Sequence, residues 1–386
     1  MNAAEQETTI TIKAGPVDRI KSVVTFPLPD LPPQVRALKS SDGSTLAQID
    51  DHGQAWFIER DLKAGQVKTY TLQPIVPERT ATNQTSLQRD GDVVKLLARG
   101  QTVLQYQGAM SKLPREDLKP VFQRGGYLHP VQSPSGKLLT DDYPSNHKHH
   151  HGIWFPWTKT EFQGRHPDFW NMGDGTGTVE FTGLDETWHG PVQSGFHTSH
   201  RFIDLSAPKP IAALNETWDV RVYAVRSGAK PYFMFDLVST QSCATADPLK
   251  LPEYYYGGLG FRGNWDWNGE GKTFFLTSEG ETDRVKGNST RGRWCHIGGK
   301  VDGGLTGIAI LGHPDNFRAP QPMRLHPKEP FFCFAPSALG NWEITPGKPY
   351  VSRYRFIVAD GPPDQAELDR LWNDYAHPPE VTVETK

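Results

Sequence analysis

The sequence predicts an all-β protein with a small N-terminal β unit, a large antiparallel β-sandwich and a short C-terminal helix. Glycine (37 residues) and proline (32 residues) are abundant, and this composition favours many short strands joined by turns. Numerous short stretches alternate apolar and polar residues, which is the pattern of half-buried strands. Helical periodicity is clear at one place only, residues 363–375, where two prolines provide a helix start.

The N-terminal unit is predicted to span residues 1–78 as a small β domain. Its alternating stretches are residues 8–13, 22–26, 54–58 and 68–72. Turn signals such as Asp42-Gly43 and Ala64-Gly65 separate them. The polar stretch 77–88 that follows is predicted to be a linker.

Residues 79–386 are predicted to form the sandwich domain that carries the site. Its strands are expected at residues 93–97, 101–108, 177–183, 217–225, 232–240, 272–277, 307–311 and 351–358. The loops at 112–142 and 152–175 are long and contain many of the aromatic and histidine residues. Long loops on a rigid sheet are where binding sites tend to be built. In the C-terminal helix, Leu368, Leu371, Trp372 and Tyr375 share one face.

Charge and motifs argue against several classes of protein. The net charge is −3 and no basic stripe is present, so no nucleic-acid partner is predicted. No apolar run reaches the roughly 18 residues needed to cross a bilayer, so no membrane insertion is predicted. Phosphate-binding loops, dinucleotide fingerprints, nucleophile elbows and zincin motifs are missing from the sequence. No nucleotide cofactor is therefore expected.

The start of the chain and the cysteines bear on location. Residues 1–13 contain no apolar signal core, but Ala3 and Ala4 fit the remnant of a removed signal peptide. We therefore expect a periplasmic or secreted protein, with a cytoplasmic location as the alternative. Cys243, Cys295 and Cys333 show no metal-binding spacing. They are predicted to be buried thiols, although a periplasmic protein would also permit one disulfide. The sequence does not indicate an oligomeric state.

A cluster of histidines is the strongest local signal. Four of the 14 histidines, His147, His149, His150 and His151, lie within five residues and follow Asp142 closely. In an extended strand, alternate side chains share a face. His147, His149, His151 and Asp142 would then form a site for a divalent metal such as Zn, Mn, Ni or Ca. Alternatively, His147, His149 and His150 act as acid and base, or the histidines are structural.

Several sequence blocks resemble the PmoA-like family of bacterial proteins, whose name is borrowed from a methane monooxygenase subunit. These blocks are residues 124–142, 146–157, 168–173, 255–262, 313–324 and 353–361. The resemblance implies a supersandwich like that of sugar mutarotases and polysaccharide lyases, and a role in saccharide breakdown. The family pattern begins its histidine run with Asp, whereas this chain has Asn146. Any role of that Asp would pass to Asp141 or Asp142.

Further residues complete the predicted site. Glu253, or a tyrosine beside it, is the candidate partner in proton transfer, and His189 at a turn is a further catalytic candidate. Arginine forks, amides and a tryptophan suit a saccharide, because they pair with hydroxyls and stack on rings. The candidate substrate-binding residues are Arg124, His129, Trp170, Asn171, Arg262, His313, Asn316, Arg318 and Arg324.

The predicted function is an enzyme, a glycoside hydrolase or lyase. It would cleave a glycosidic bond by hydrolysis or β-elimination, with a metal ion and on an oxidised (keto) sugar. One alternative is a non-catalytic carbohydrate-binding protein, which would bind saccharides without turnover. Another is a mutarotase- or epimerase-like sugar isomerase, which would be insensitive to chelators. In each case the expected partner is a saccharide.

Overall fold

Short strands joined by turns make up most of the chain in the computed structural model, which describes residues 7–74, 84–109, 113–225 and 230–385. The first strands are β1 Thr8–Lys13, β2 Arg19–Pro27, β3 Gln34–Ser40, β4 Gly43–Ile49, β5 Gln54–Leu62, β6 Val67–Gln73, β7 Thr85–Asp90, β8 Val93–Ala98 and β9 Gln101–Gln107. The middle strands are β10 Tyr127–Val131, β11 Ile153–Trp154, β12 Gly177–Trp188, β13 Gln193–Asp204, β14 Ile211–Tyr223, β15 Tyr232–Cys243, β16 Leu249–Leu251 and β17 Gly260–Arg262. The last strands are β18 Thr273–Thr277, β19 Trp294–Val301, β20 Gly304–Gly312, β21 Met323–Leu325, β22 Phe331–Phe334, β23 Trp342–Ile344, β24 Tyr350–Asp360 and β25 Glu380–Thr385. The helices are α1 Arg284–Gly287 and α2 Gln365–Ala376.

These strands form three large sheets and one small pair. The first sheet has the order β2-β5-β4-β3-β6-β1-β25, and the second has the order β21-β22-β17-β11-β10-β9-β8-β7. The third sheet has the order β12-β13-β14-β15-β24-β20-β19-β18, and β16 pairs with β23. Neighbouring strands run antiparallel. The predicted all-β fold with a sandwich and a C-terminal helix is confirmed.

The first sheet forms the N-terminal unit around its own core. Alternation in β1 buries Ile10 and Ile12, which join Phe26 and Phe57 in that core. The last strand of the chain, β25, pairs with β1 and completes this sheet. The predicted boundary at residue 78 therefore leaves β25 in the sandwich domain, although its hydrogen bonds belong to the first sheet. Of the predicted linker 77–88, residues 77–83 lie outside the described part of the chain, and residues 85–88 belong to β7.

The sandwich is formed by the inner faces of the second and third sheets. Leu96 and Tyr106 of the second sheet share a core with Phe196, Trp218 and Phe235 of the third. Strand β13, which sequence patterning missed, also places polar side chains inside. There Thr198 and His200 are buried and hydrogen bonded to the hydroxyl of Tyr106. The strand was missed because some of its inward-facing positions are polar, so the sequence lacks the apolar alternation that predicts a strand.

Helix α2 joins the sandwich to the N-terminal unit. Asp364 caps its start by accepting a hydrogen bond from the backbone of Glu367. Leu368 and Leu371 pack on the outer face of the third sheet, in agreement with the predicted apolar face. Near the helix end, the carboxylate of Asp374 accepts hydrogen bonds from Arg19 and Ser22 of β2.

Two further expectations concern the cysteines and the membrane. Cys243, Cys295 and Cys333 are free thiols, and the latter two are buried. In the described ranges, neither helix is long and apolar enough to cross a bilayer. Ala3 and Ala4 lie outside the described residues, so a periplasmic or secreted location stays a prediction.

Candidate functional site

The histidines lie in a loop between β10 and β11, residues 140–152, which we call the histidine loop. The predicted strand is not formed. Two turns form instead: the backbone N–H of His147 donates to the carbonyl of Pro144, and the backbone N–H of His150 donates to the carbonyl of His147. Tyr143 adopts a left-handed backbone conformation with φ of 51°. Because the backbone is not extended, alternate histidines do not share one face. The loop covers an apolar cluster that includes Tyr127, Trp154, Trp170 and Phe331.

A buried carboxylate–imidazole pair lies at the end of this loop. Nδ1 of His151 lies 2.6 Å from Oδ1 of Asp142, whose other oxygen accepts a 3.0 Å hydrogen bond from Tyr127. The rings of His151 and Tyr127 are stacked, with centroids 4.3 Å apart. Nε2 of His151 is buried and has no hydrogen-bond partner among the described residues. Asp142 therefore fixes the imidazole so that Nε2 can carry a lone pair.

The other three histidines of the loop form a stack of aromatic rings. His150 lies parallel to His147 and edge-on to His149, both at 4.7 Å between centroids. It also contacts Trp154 and Phe331. Burial lowers the pKa of His149 to about 4 and lowers the pKa of His147, His150 and His151 as well. All four imidazoles are consequently neutral near pH 7 and able to accept a proton.

A guanidinium lies beside this stack. Arg262 is fully buried and donates to Glu329 at 3.1 Å, to Asn146 at 3.2 Å and to Asn268 at 3.0 Å. All three bonds use Nη2 of Arg262. The other two nitrogens of this side chain, Nε and Nη1, have no partner within the described ranges. The three N–H groups on these two nitrogens of Arg262 are thus buried without an acceptor among the described residues.

The aromatic side chains on this face differ in exposure. Trp170 was predicted to stack on a sugar, but it is only 2% exposed and packs against His150, Trp154 and Tyr256. It is therefore part of the core beneath the loop. The amide of predicted Asn171 is bound to Asp168 and Tyr256.

Tyr255 is an aromatic residue of this face that reaches solvent. It is 49% exposed, and the guanidinium of predicted Arg324 lies 5.1 Å from its ring centroid. Arg324 also lies close enough to lower the pKa of His326, which is about 4 mainly because of burial. The ring of His326 is 6.1 Å from His147, so Tyr255 and Arg324 border the histidine loop.

Two more predicted residues lie under the loop. Arg124 is 2% exposed, and burial lowers its pKa to about 10. Its Nε and Nη2 have no partner in the part of the chain that the structure describes. His129 lies on β10, the strand that precedes the loop. Its Nδ1 is hydrogen bonded to the hydroxyl of Thr140 at 2.9 Å.

Five predicted residues have other surroundings. Glu253 is exposed, and its backbone N–H donates to Asn341, so the tyrosines do not enclose its carboxylate. His189 is exposed at the turn after β12. Asn316 exchanges hydrogen bonds with the backbone of Arg353, and Arg318 donates to the carbonyls of Pro336 and Gly340. His313 packs edge-on against Tyr375 of α2. Asn316 and Arg318 therefore anchor backbone segments rather than line the histidine loop.

Sequence reasoning missed Tyr127, His326 and Glu329 as site residues, and it considered Tyr255 only as a possible proton carrier beside Glu253. Tyr127 lies within a block that carries the family resemblance, and His326 and Glu329 lie shortly after Arg324. Proximity along the chain to those blocks was the available signal. No spacing rule links residue 151 with 127 or residue 147 with 326, because each pair meets only in the folded chain.

The predicted metal set is not brought together. His151 is engaged by Asp142, while His147 and His149 turn toward His150. Among the described residues, the group whose donor atoms all lie within 4.8 Å of one another is His52, Glu186 and His197. These three side chains could hold a metal ion, and they lie between the N-terminal unit and the sandwich.

Fold and site together define a two-unit β-sandwich protein with a histidine-rich loop on the outer face of one sheet. The chain belongs to the family of unknown function DUF6807, whose model matches residues 93–373. No curated protein matches it. Among solved structures, it is similar to a chain described as a protein in the glycosyl hydrolase family 38 from Enterococcus faecalis. The identity is 9% and the TM-score 0.41, and the match covers 100% of this chain and 48% of that one. The chain thus spans about half the length of that neighbour, and a likeness this weak carries no functional argument.

Proposed function

We propose that this protein is a carbohydrate-active enzyme that cleaves a glycosidic bond by proton transfer at the histidine loop. The observation that carries the proposal is His151, held at Nδ1 by Asp142 at 2.6 Å while its buried Nε2 has no partner among the described residues. A carboxylate that orients an imidazole in this way is the arrangement of a general base.

Both hydrolysis and β-elimination require a base and an acid. Neutral His151 takes a proton at Nε2, from water in hydrolysis or from a sugar carbon in elimination. Asp142 stabilises the imidazolium that forms, because it lies against the other ring nitrogen. The half-buried His147 and His149 line the solvent side of the loop, where they relay the proton to the leaving oxygen.

An oxidised (keto) sugar suits this site best. A carbonyl acidifies the neighbouring C–H, so a base of moderate strength removes the proton and an enolate oxygen develops. The N–H groups on Nε and Nη1 of Arg262, which have no partner among the described residues, are donors for that oxygen. Fixed donors aimed at a developing charge usually make the largest contribution to rate.

The surface beside the loop supports a saccharide ligand. Exposed Tyr255 offers a ring for stacking, and Arg324, Asn146 and Glu329 offer polar groups for hydroxyls. The resemblance to the PmoA-like family points to the same class of substrate. Because the donor atoms of the predicted loop metal set do not converge, the mechanism uses the chain's own acids and bases.

The test is product release, followed by mass spectrometry, from a panel of oligosaccharides and 3-keto-glycosides, each with and without EDTA. We expect cleavage of at least one keto-glycoside, loss of turnover in His151→Gln, and wild-type turnover in the exposed control His189→Ala. An unsaturated product identifies elimination, and incorporation of labelled water identifies hydrolysis.

Other outcomes would replace the proposal. Saturable binding without turnover on the whole panel would indicate a carbohydrate-binding protein. Anomer exchange without cleavage would indicate a mutarotase-like isomerase. Turnover that EDTA abolishes and a single divalent ion restores would return a metal to the mechanism. Undiminished cleavage by folded His151→Gln would remove His151 from the chemistry.

A further inference from the structure

We infer that His52, Glu186 and His197 form a divalent-metal site that joins the N-terminal unit to the sandwich. The site is separate from the histidine loop and does not rest on the proposed saccharide chemistry. Zinc is the ion that two imidazoles and one carboxylate fit best.

The donor atoms have the separation that one ion requires. Oε2 of Glu186 lies 3.0 Å from Nδ1 of His197 and 3.8 Å from Nε2 of His52. Ligands at about 2.0–2.2 Å from a tetrahedral zinc ion lie roughly 3.3 Å from one another. The two observed distances are on either side of that value, so small side-chain rotations suffice to bind an ion.

The surroundings of His197 are those of a metal ligand. Its Nε2 lies 2.8 Å from Oδ2 of Asp219, which is itself held by two bonds from Arg221. Imidazoles that bind metal usually donate their second N–H to a carboxylate, which leaves the other nitrogen with a lone pair for the ion. Trp188 packs edge-on against the ring at 4.9 Å and limits its movement.

A proton competes with the ion for Nδ1 of His197. The hydrogen bond to Asp219 raises the pKa of His197 against the opposing effect of burial, and the charges of Asp219 and Glu186 add to the increase while Arg221 reduces it. The remaining ionisable groups around the site are His52 and Asp50, the latter 3.9 Å from Arg221. Because imidazole binds a metal ion only in its neutral form, zinc binding is best measured above pH 7.

The position of the site gives the ion a structural task. His52 lies in the turn between β4 and β5 of the first sheet, whereas Glu186 and His197 lie on β12 and β13 of the third. An ion bound by all three connects two units with separate cores. The His52 side chain is 62% exposed, so the ion can enter from solvent and keep a water as its fourth ligand.

The experiment is calorimetric titration of the full chain with Zn²⁺ at pH 8 after treatment with EDTA, with Co²⁺ absorption as the spectroscopic probe. We expect one ion per chain and at least a 100-fold loss of affinity in both His52→Ala and Glu186→Gln. Asp219→Asn should weaken binding by about 10- to 100-fold. His189→Ala is the matched control, because it removes an exposed histidine three residues from Glu186 and should bind like wild type.

Two results would overturn the inference. One is a folded wild-type chain that binds neither ion at pH 8. The other is zinc binding that survives in His52→Ala but is lost in His147→Ala, because the ion would then lie in the histidine loop. Since His52 is exposed, His52→Ala should keep its fold, which the unchanged circular dichroism spectrum would verify. Enzymatic turnover plays no part in this test.

Discussion

The histidine loop and the triad of His52, Glu186 and His197 place the same side chain in opposite environments. In the loop, aromatic rings and neighbouring imidazoles surround the histidines, and burial lowers their pKa. In the triad, His197 lies between Asp219 and Glu186, and the hydrogen bond to Asp219 raises its pKa. The loop therefore keeps its imidazoles neutral near pH 7, whereas the triad is suited to hold a cation or a proton.

This difference shows that a high local density of histidines does not by itself bring their donor atoms together. The four imidazoles lie within five residues of a turning loop, where three of the rings pack on one another and the fourth, His151, stacks on Tyr127. A metal site needs donors that converge from different elements together with negative charge to balance the ion. The predicted set failed on convergence, whereas three residues far apart in sequence meet that condition.

The largest effect is expected for Asp142→Asn. An amide has one oxygen, so it cannot accept hydrogen bonds from Tyr127 and His151 on separate oxygens. The imidazole of His151 loses its fixed orientation, and its protonated form loses the negative charge that stabilises it. We expect kcat for the cleaved saccharide to fall by about 10²- to 10⁴-fold. Asp219→Asn, the equivalent change beside His197, should leave kcat within a factor of about two. If both variants lose activity equally, the two regions do not differ in function.

Acid should lower the free energy of unfolding substantially, because the histidines of the loop resist protonation in the folded protein. Below about pH 6.5 the unfolded chain binds protons on these histidines, whereas folded His149 does so only near pH 4. The free energy of unfolding should thus fall between these values, by on the order of 2 kcal/mol or more. Urea unfolding at pH 7 and pH 5 measures the drop.

The variant His150→Phe measures how much one imidazole contributes to this acid-induced loss of stability. His150 is 4% exposed, and a phenyl ring keeps its contacts with Trp154 and Phe331 without a nitrogen to protonate. The loss of stability between pH 7 and pH 5 should shrink by about 1 kcal/mol or more. An unchanged loss would mean that groups outside the loop cause the acid sensitivity.

The triad should show a smaller effect with the opposite pH dependence. Because the folded-state pKa of His197 is raised, its protonated form stabilises the protein below the unfolded pKa, near 6.5. This contribution disappears as the pH rises through the folded value. With EDTA present, His197→Gln should therefore cost about 1 kcal/mol at pH 6 and little at pH 9. Urea unfolding at both pH values tests this, and an equal cost at pH 9 would mean that packing, rather than the proton, is responsible.

The smallest effect is expected for Lys148→Ala, within the histidine run itself. The ammonium of Lys148 lies 2.9 Å from Asp117, and the two side chains are 31% and 52% exposed. Exposed ion pairs contribute little, so the change in unfolding free energy should stay below about 0.5 kcal/mol. A larger effect on unfolding or on turnover would mean that this lysine belongs to the site.

Much of the fold could be predicted because it depends on local patterns. Alternation located β1 exactly where the structure has it, and the shared face of Leu368 and Leu371 located α2. Strand β13 escaped because Thr198 and His200 are polar yet buried, and strand β25 pairs with β1 from the other end of the chain. The alternation of Val381 and Val383 marks β25 as a strand, but nothing local indicates that its partner is β1.

The candidate site was predictable in composition but not in arrangement. The run from Asn146 to His151 indicated a site, and Arg262 does lie beside it. The strand assumed for the histidines was wrong because backbone turns closed at His147 and His150. Glu253 and Arg318 looked equally promising in sequence, since exposure and carbonyl contacts cannot be read from residue type.

By itself, the sequence determined the all-β class, the helix at the C-terminus and the segment in which the histidines are concentrated. These features follow from hydrophobic periodicity and from residue chemistry, which act over a few neighbouring residues. Only the tertiary structure decided that Asp142 orients His151 and that His52 meets Glu186 and His197. Such pairings depend on strand register and sheet packing, and these set both the distance between donors and the burial that shifts each pKa.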